Sequence, residues 1–174
     1  MFAFIKNIKK NIDEKIKQQR YVDYCLAIDK HFNNKSDQVL FNLSKEGYYR
    51  IFDKMVGEAK FQLNICLSNY EVLFERSTFL VLKMKAHQGL KINIVITNGD
   101  ITEKEKFKEL YSYDNVNIYV CKADINNFIL ADYSMYWLEK NNHRTNLNEF
   151  IHAELCFHNY KKSSELQDVF DKLI

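Results

Sequence analysis

The chain has 174 residues, of which 47% are hydrophobic and 28% charged, and its formal net charge is +2. This length fits one domain. The composition is too apolar for a disordered chain, and the small net charge gives no overall attraction to polyanions. The sequence has no Pro and only four Gly, which excludes collagen, Pro-rich linkers and Gly-rich phosphate loops.

No segment approaches the roughly 18 consecutive apolar residues of a membrane span. Near the N-terminus, Lys6, Lys9 and Lys10 interrupt the region where a signal peptide would be apolar. We therefore expect a cytoplasmic protein.

The four cysteines form no CxxC pair, which excludes a zinc ribbon and a thioredoxin-like redox site. Cys66, Cys121 and Cys156 lie in apolar, strand-like runs, where a reduced cysteine behaves as a small buried hydrophobe. We therefore expect buried thiols, and predict neither a metal site nor a cofactor.

Residues 2–32 have the apolar periodicity of an amphipathic helix. Its first 20 residues carry six basic and two acidic side chains. Such a helix can lie on a membrane surface, follow a phosphate backbone, or pack on its own domain with a solvated basic face. A break at residues 33–37 divides the chain into this helix (1–34) and an α/β domain (35–174).

Helical and strand patterns alternate from residue 38 onward. They predict an extended stretch after residue 38, helices at 46–59 and 69–88, and a short helix opened by a capping box at 102–105. Strands are predicted at 61–68, 90–97, 116–122 and 150–159, and at 127–139 a strand that either runs straight or turns and continues. A final helix follows, with Ser163 or Ser164 as its N-cap. Because helices separate the strands, we predict an α/β fold with a mostly parallel or mixed sheet flanked by helices on both faces.

Residues 45–174 resemble one repeat of the phospholipase D-like superfamily. The resemblance rests on the order of elements: a helix ending in Ala59-Lys60, an apolar strand, a long helix, the strands GLKINIVI and VNIYV, and the apolar run FILAD at 128–132. It implies the fold of that family and a motif H-x-K-x(4)-D, in which His is the nucleophile and Lys holds the phosphate. It also implies that two copies meet at a dimer interface through the face that bears the motif.

Alignment of the motif on FILAD puts Asp132 in the place of its Asp, Asn127 in the place of its Lys and Ile125 in the place of its His. No His occurs between residues 88 and 142, so a shift of register does not restore the motif. The resemblance therefore implies a degenerate member that has the fold without the standard catalytic pair.

The predicted strand at 150–158 places His152, Glu154 and His158 on one face, because side chains alternate along a strand. These three residues are the candidates for acid, base or nucleophile. His152 and His158 are about 20 Å apart along an extended chain, so one strand cannot offer both to a single metal. The alternative interpretation is a polar surface or interface.

Two further polar groups are candidates for ligand binding. Asn126, Asn127 and Asp132 surround the degenerate motif and are either a remnant phosphate pocket or turn residues before a strand. Lys140 and Arg144 lie in a basic loop that can contact phosphate or remain solvated.

These observations favour a non-catalytic module that binds a phosphate-bearing partner, nucleic acid in particular, as a homodimer. Two alternatives stay open. One is a phosphodiesterase or nuclease with a non-standard His nucleophile. The other is a peripheral protein that contacts a membrane surface or another protein through residues 1–20.

Overall fold

A computed structural model describes residues 2–42, 45–68, 73–74, 76–97, 105–140 and 152–174. The described elements are α1 (Phe2–Asn33), β1 (Leu40–Asn42), α2 (Lys45–Glu58), β2 (Gln62–Leu67), α3 (Arg76–His87), β3 (Lys91–Ile96), α4 (Glu105–Tyr111), β4 (Val116–Val120), β5 (Phe128–Ala131), β6 (Met135–Glu139), β7 (Ala153–Cys156) and α5 (Tyr160–Asp171).

The strands form one mixed sheet in the order β1-β7-β6-β5-β2-β3-β4. Among the described strands, β2 pairs with β3 and β3 with β4 in parallel. The other pairings are antiparallel. The sheet therefore has a parallel half and an antiparallel half, and these meet where β5 pairs with β2.

Helices flank both faces of the sheet, as the sequence predicts. Apolar side chains of α1 to α4 pack on one face, where alternate residues such as Ile65 and Ile94 are fully buried. On the other face, Leu166 and Phe170 of α5 pack against a second cluster that includes Cys66. Burial raises the pKa of the Cys66 thiol to about 12.

The predicted buried thiols are confirmed for Cys66 and Cys156, which are fully buried. Cys121 is only half-buried, because it follows the edge strand β4. All four cysteines are free.

The helix predicted at 69–88 matches α3 over its C-terminal part, while residues 69–72 and 75 lie outside the described residues. The strand predicted at 127–139, expected to turn and continue, is a hairpin of β5 and β6, closed by a turn in which Asp132 and Tyr133 have positive φ angles of 50° and 63°. One prediction is wrong. The N-cap of α5 is Asn159, not Ser163 or Ser164: its side chain accepts a hydrogen bond from the backbone N–H of Lys162, and Ser163 is buried inside the helix.

The C-terminal part of α1 packs on the domain. Ile28 is fully buried, and the Phe32 ring lies 4.4 Å from Lys54 Nζ. Arg50 Nη2 donates to both carboxylate oxygens of Asp29, at 2.7 and 2.9 Å, and Lys54 Nζ lies 3.3 Å from the same carboxylate. Among the described helices, including α1, none is long and apolar enough to cross a membrane.

A chain of side-chain amides crosses the parallel half of the sheet below α5. Each amide donates to the next at 2.7 to 3.0 Å, in the order Asn117, Asn93, Asn64, Gln167, and the last donates to the carboxylate of Asp171. Asn64 and Asn93 are almost fully buried. Because buried amides are costly unless hydrogen-bonded, this chain of bonds fixes α5 over β2 and β3.

We predict that Asp29→Asn weakens the attachment of α1. Burial alone would raise the pKa of Asp29, but hydrogen bonds from Lys54 and Arg50 and their charges lower it overall. A carboxyl whose pKa is lowered by folding stabilises the fold at any pH above its pKa in the unfolded chain, which is near 3.9. This stabilisation is lost as the pH falls through the pKa of the carboxyl in the folded chain.

The free energy of unfolding in urea, followed by fluorescence of the single Trp, should therefore fall by about 0.5–1 kcal/mol at pH 6, since Asp29 is one-third exposed and solvent screens the pair. This difference should shrink toward pH 3. A difference that stays constant down to pH 3 would contradict the assignment of the stability to the charged carboxylate.

Candidate functional site

The strand order places a topological switch point at β2. The chain runs outward from β2 through β3 to β4 and then returns to β5 on the other side of β2. In open α/β sheets, ligands bind outside the carboxyl ends of the strands at such a point. The candidate site therefore consists of the residues that follow β2 and β3, those that precede β5, and those at the end of β6. We call it the switch-point edge: Ser68, Thr97, Asn126, Asn127, Glu139 and Lys140.

Asn127 connects three strands at this edge. Its Oδ1 accepts a hydrogen bond of 2.7 Å from the backbone N–H of Ser68, and its Nδ2 donates one of 2.6 Å to Glu139 Oε2. Its backbone carbonyl accepts from the N–H of Glu139 at 2.9 Å. Asn127, which the sequence resemblance aligns with the motif Lys, therefore joins the ends of β2, β5 and β6.

Glu139 is the residue of this edge that the sequence reasoning missed. It is 5% exposed, although it is the last residue of a strand and carries a carboxylate. Burial, followed by the proximity of Tyr49 and Glu139, raises the pKa of Tyr48 well above its usual range. The carboxylate therefore lies close to the aromatic core below the edge. Charged residues are rarely buried unless paired, so a Glu at the end of an apolar strand is expected to be exposed, and no sequence pattern distinguishes this one.

Lys140 and His152 meet at the next position along the edge. The backbone N–H of Lys140 donates to the carbonyl of His152 at 2.8 Å. Lys140 Nζ lies 2.7 Å from Glu154 Oε2, with 38% of the Lys140 side chain exposed. Two of the predicted candidates, His152 and Glu154, are thus close to the predicted phosphate-binding Lys140.

Two buried polar atoms at the edge have no hydrogen-bond partner among the residues that the structure describes. They are Oδ1 of Asn126 and Oγ1 of Thr97, whose residue is 1% exposed. A buried polar atom without a partner costs about 1–3 kcal/mol. Both atoms therefore retain hydrogen-bonding capacity that the described residues do not use.

Asp132 does not lie at this edge. It follows β5, whereas Asn127 precedes it, so the two are separated by about 17 Å of extended chain. Its carboxylate accepts hydrogen bonds from the backbone N–H groups of Lys60, Phe61 and Gln62 at 2.7, 2.8 and 3.1 Å. The structure therefore does not bring Asp132 together with Asn126 and Asn127.

The remaining predicted residues are dispersed. His158 follows the far end of β7 from His152, and its ring contacts Tyr160 edge-on at 4.9 Å. Arg144 lies outside the described residues, as do residues 102–104 of the predicted capping box. Within the described part of the chain, no three His, Cys, Asp or Glu side chains converge as metal ligands would.

A separate groove of about 320 Å³ lies at the opposite edge of the sheet. Its lining includes Asn93 and Asn117 of the amide chain, together with Lys91, Tyr119 and Tyr133. Because it lies at the amino ends of β2 and β3, it is distinct from the switch-point edge.

Comparison with solved structures shows the fold of this chain. NucT from Helicobacter pylori aligns with a TM-score of 0.63 and 12% identity, over 78% of this chain and 94% of that one. Nuc from Salmonella typhimurium, a phospholipase D family member, aligns with a TM-score of 0.60 and 13% identity, over 78% of this chain and 93% of that one.

TrmBL2, described as an archaeal chromatin protein with a novel mode of DNA binding, aligns with a TM-score of 0.61 and 9% identity. That match covers 98% of this chain and 65% of TrmBL2, so it includes helix α1. No family model matches the sequence, and no curated protein sequence matches it. The chain therefore has a phospholipase D-like fold.

We predict that Asp132 contributes to stability through both its carboxylate and its backbone conformation. Asp132→Gly keeps the positive φ accessible but removes the acceptor of three backbone hydrogen bonds, and should lower the free energy of unfolding by about 1–3 kcal/mol. Asp132→Ala should cost about 1 kcal/mol more, because Ala disfavours a positive φ. Urea denaturation measures both, and a Gly variant as stable as the wild type would contradict this role.

We predict that Asn127→Asp destabilises the switch-point edge in a pH-dependent way. The variant keeps an oxygen for Ser68 but places a carboxylate, instead of a donor, against Glu139. At pH 7 the free energy of unfolding should fall by about 1–3 kcal/mol. The loss should decrease as the pH falls and one carboxyl becomes protonated and able to donate. Equal losses at pH 7 and pH 4 would argue against the contact with Glu139.

Proposed function

We propose that this chain is a non-catalytic phospholipase D-like module that binds a phosphate-bearing partner, nucleic acid in particular, at the switch-point edge, and that it acts as a homodimer. The observation that carries the proposal is the set of hydrogen bonds made by the Asn127 side chain. It stands in the place of the motif Lys, at the carboxyl end of β2, and its amide is committed to Ser68 and Glu139. Residue 127 therefore stabilises the switch-point edge and carries no charge. The cation of this edge is Lys140.

The chemistry at the other motif positions supports a non-catalytic role. Ile125, in the place of the nucleophilic His, packs against the apolar cluster below α5. An alkyl side chain cannot attack phosphorus. Asp132, in the place of the Asp, is committed to three backbone N–H groups. Each of the three motif positions thus has a packing or hydrogen-bonding role in the fold.

The groups that remain at the edge suit a phosphate-bearing ligand. The Lys140 side chain is 38% exposed and carries a positive charge, which is paired with Glu154 at 2.7 Å. The basic first 20 residues of α1 add a local charge that a polynucleotide would attract. The DNA binding stated for TrmBL2, which shares the fold, favours nucleic acid over other phosphates.

A second candidate function rests on His152. Its backbone carbonyl accepts from the N–H of Lys140, so the two residues are neighbours on adjacent chain segments, and its ring lies 6.4 Å from the ring of Phe41. This candidate is a phosphodiesterase or nuclease in which His152 is the nucleophile. A third candidate, contact with a membrane surface, rests on residues 1–20.

The proposal is tested by titrating the full chain against fluorescently labelled single-stranded and duplex DNA and RNA. Anisotropy reports binding, and a denaturing gel of the same samples, with and without Mg²⁺, reports cleavage. We expect binding without cleavage, with an affinity that falls steeply between about 50 and 200 mM salt. Cleavage that disappears in His152→Ala would overturn the non-catalytic assignment.

We predict that Lys140→Gln weakens polynucleotide binding several-fold and reduces the slope of log K against log salt by about 0.9 for one lost phosphate contact on duplex DNA. Glu154→Gln should strengthen binding, because it releases Lys140 from its ion pair. Lys91→Gln is the matched control, since Lys91 is exposed at the opposite edge of the sheet. Equal effects of the two Lys variants would contradict binding at the switch-point edge.

A further inference from the structure

Helix α1 has two apolar sides, and its own domain covers only one of them within the described residues. Ile28 and Phe32 face the domain. Leu26 lies roughly 160° around the axis from Ile28, at 100° per residue. It belongs to an uncovered row that we call the exposed stripe. Its members are Ile12, Ile16, Val22 and Leu26, with 51%, 47%, 44% and 62% of their surface exposed.

We propose that the exposed stripe binds the same stripe of a second copy of this chain, with the two α1 helices antiparallel and Gln19 at the two-fold axis. In this register Ile12 lies opposite Leu26, and Ile16 lies opposite Val22. Every apolar member of the stripe therefore has an apolar partner. The residues are spaced by four, six and four, so at 100° per residue all four lie within about 120° of one another around the helix axis.

The charges beside the stripe favour antiparallel pairing. In the proposed register, Lys15 lies opposite Asp23 of the second copy, and the pair occurs twice because of the symmetry. A parallel pair would instead place Lys15 beside its own copy. Gln19, which donates to Asp23 within the helix at 2.9 Å, would lie next to this ion pair.

The arrangement also leaves room for both domains. The domain packs on the side of α1 opposite the stripe, around Ile28. In the antiparallel pair, Ile28 lies opposite residue 10 of the second copy, so the two attachment points are about 27 Å apart along the axis. The two domains therefore lie on opposite outer sides and near opposite ends of the helix pair.

The composition of the stripe favours a helix over a lipid surface. Membrane-surface helices commonly bury aromatic side chains and Leu, with basic residues around them. The exposed stripe instead consists of Ile, Val and Leu, the residues of helix-pair interfaces. It also continues beside Asp23, which an anionic membrane would repel.

The experiment is sedimentation equilibrium of the full chain across a wide range of concentrations. We expect a monomer–dimer equilibrium, and expect Ile16→Lys combined with Val22→Lys to weaken the dimer by at least about tenfold. Circular dichroism verifies that the variant remains folded. A wild-type chain that stays monomeric, or a dimer that the double variant leaves unchanged, would overturn the proposal.

A charge exchange tests the register. Lys15→Glu alone should weaken the dimer by about three- to tenfold, and addition of Asp23→Lys should restore it. The matched control is Lys10→Glu, which makes the same charge change at an exposed residue on the other side of the helix. Failure of the second substitution to restore the dimer, or an equal effect of Lys10→Glu, would contradict the antiparallel register.

Two further measurements separate this proposal from its alternatives. Cosedimentation with vesicles of phosphatidylglycerol and phosphatidylcholine should not depend on the stripe. Loss of vesicle binding in the Ile16→Lys, Val22→Lys variant of a monomeric protein would assign the stripe to a membrane instead. The pairing rests on the homodimer of the proposed function but not on its ligand. Sedimentation without nucleic acid tests the dimer alone, and polynucleotide binding tests the ligand alone, so the two failures are distinguishable.

Discussion

The two halves of the sheet are held together by hydrogen bonds at both ends of β5. At one end, Asn127 accepts from the backbone N–H of Ser68, just beyond β2. At the other end, Asp132 accepts from three successive N–H groups that lead into β2. A single four-residue strand is thereby attached to the centre of the sheet by side chains at both ends, in addition to its backbone ladder. The position of every other strand in the antiparallel half follows from this attachment.

This attachment links the fold to the proposed function. The side chains that attach β5 are Asn127 and Asp132, which the sequence resemblance aligns with the Lys and Asp of a phospholipase D-like motif. The Asn127 amide also bonds to the buried carboxylate of Glu139, which brings the end of β6 to the switch point. Under the proposed function, Lys140 is the cation that this edge offers to a phosphate, while Asn127 and Asp132 stabilise the sheet.

Much of the fold could be predicted from the sequence because its elements have strong periodicity. The strands around Ile65 and Ile94 and the helix α2 follow directly from such patterns. The antiparallel half was harder, because alternation identifies a strand but not its direction. A turn within 127–139 was one of two expectations, but its position could not be given, because neither Asp132 nor Tyr133 is a Gly and Tyr seldom adopts a positive φ. Asn127 and Asp132 were predicted to belong to one binding site. The four apolar residues between them form a strand, which places the two side chains at its opposite ends.

The most direct test of the account is to map the ligand contact on the folded chain. Amide chemical shifts of the ¹⁵N-labelled protein would be followed by NMR during titration with a short single-stranded DNA. The account predicts shifts concentrated at Ser68, Thr97, Asn126, Asn127 and Lys140, with the amides of residues 60–62 and Asp132 unchanged. Shifts at the Asp132 end of the sheet, or in α1 with none at the switch-point edge, would contradict it.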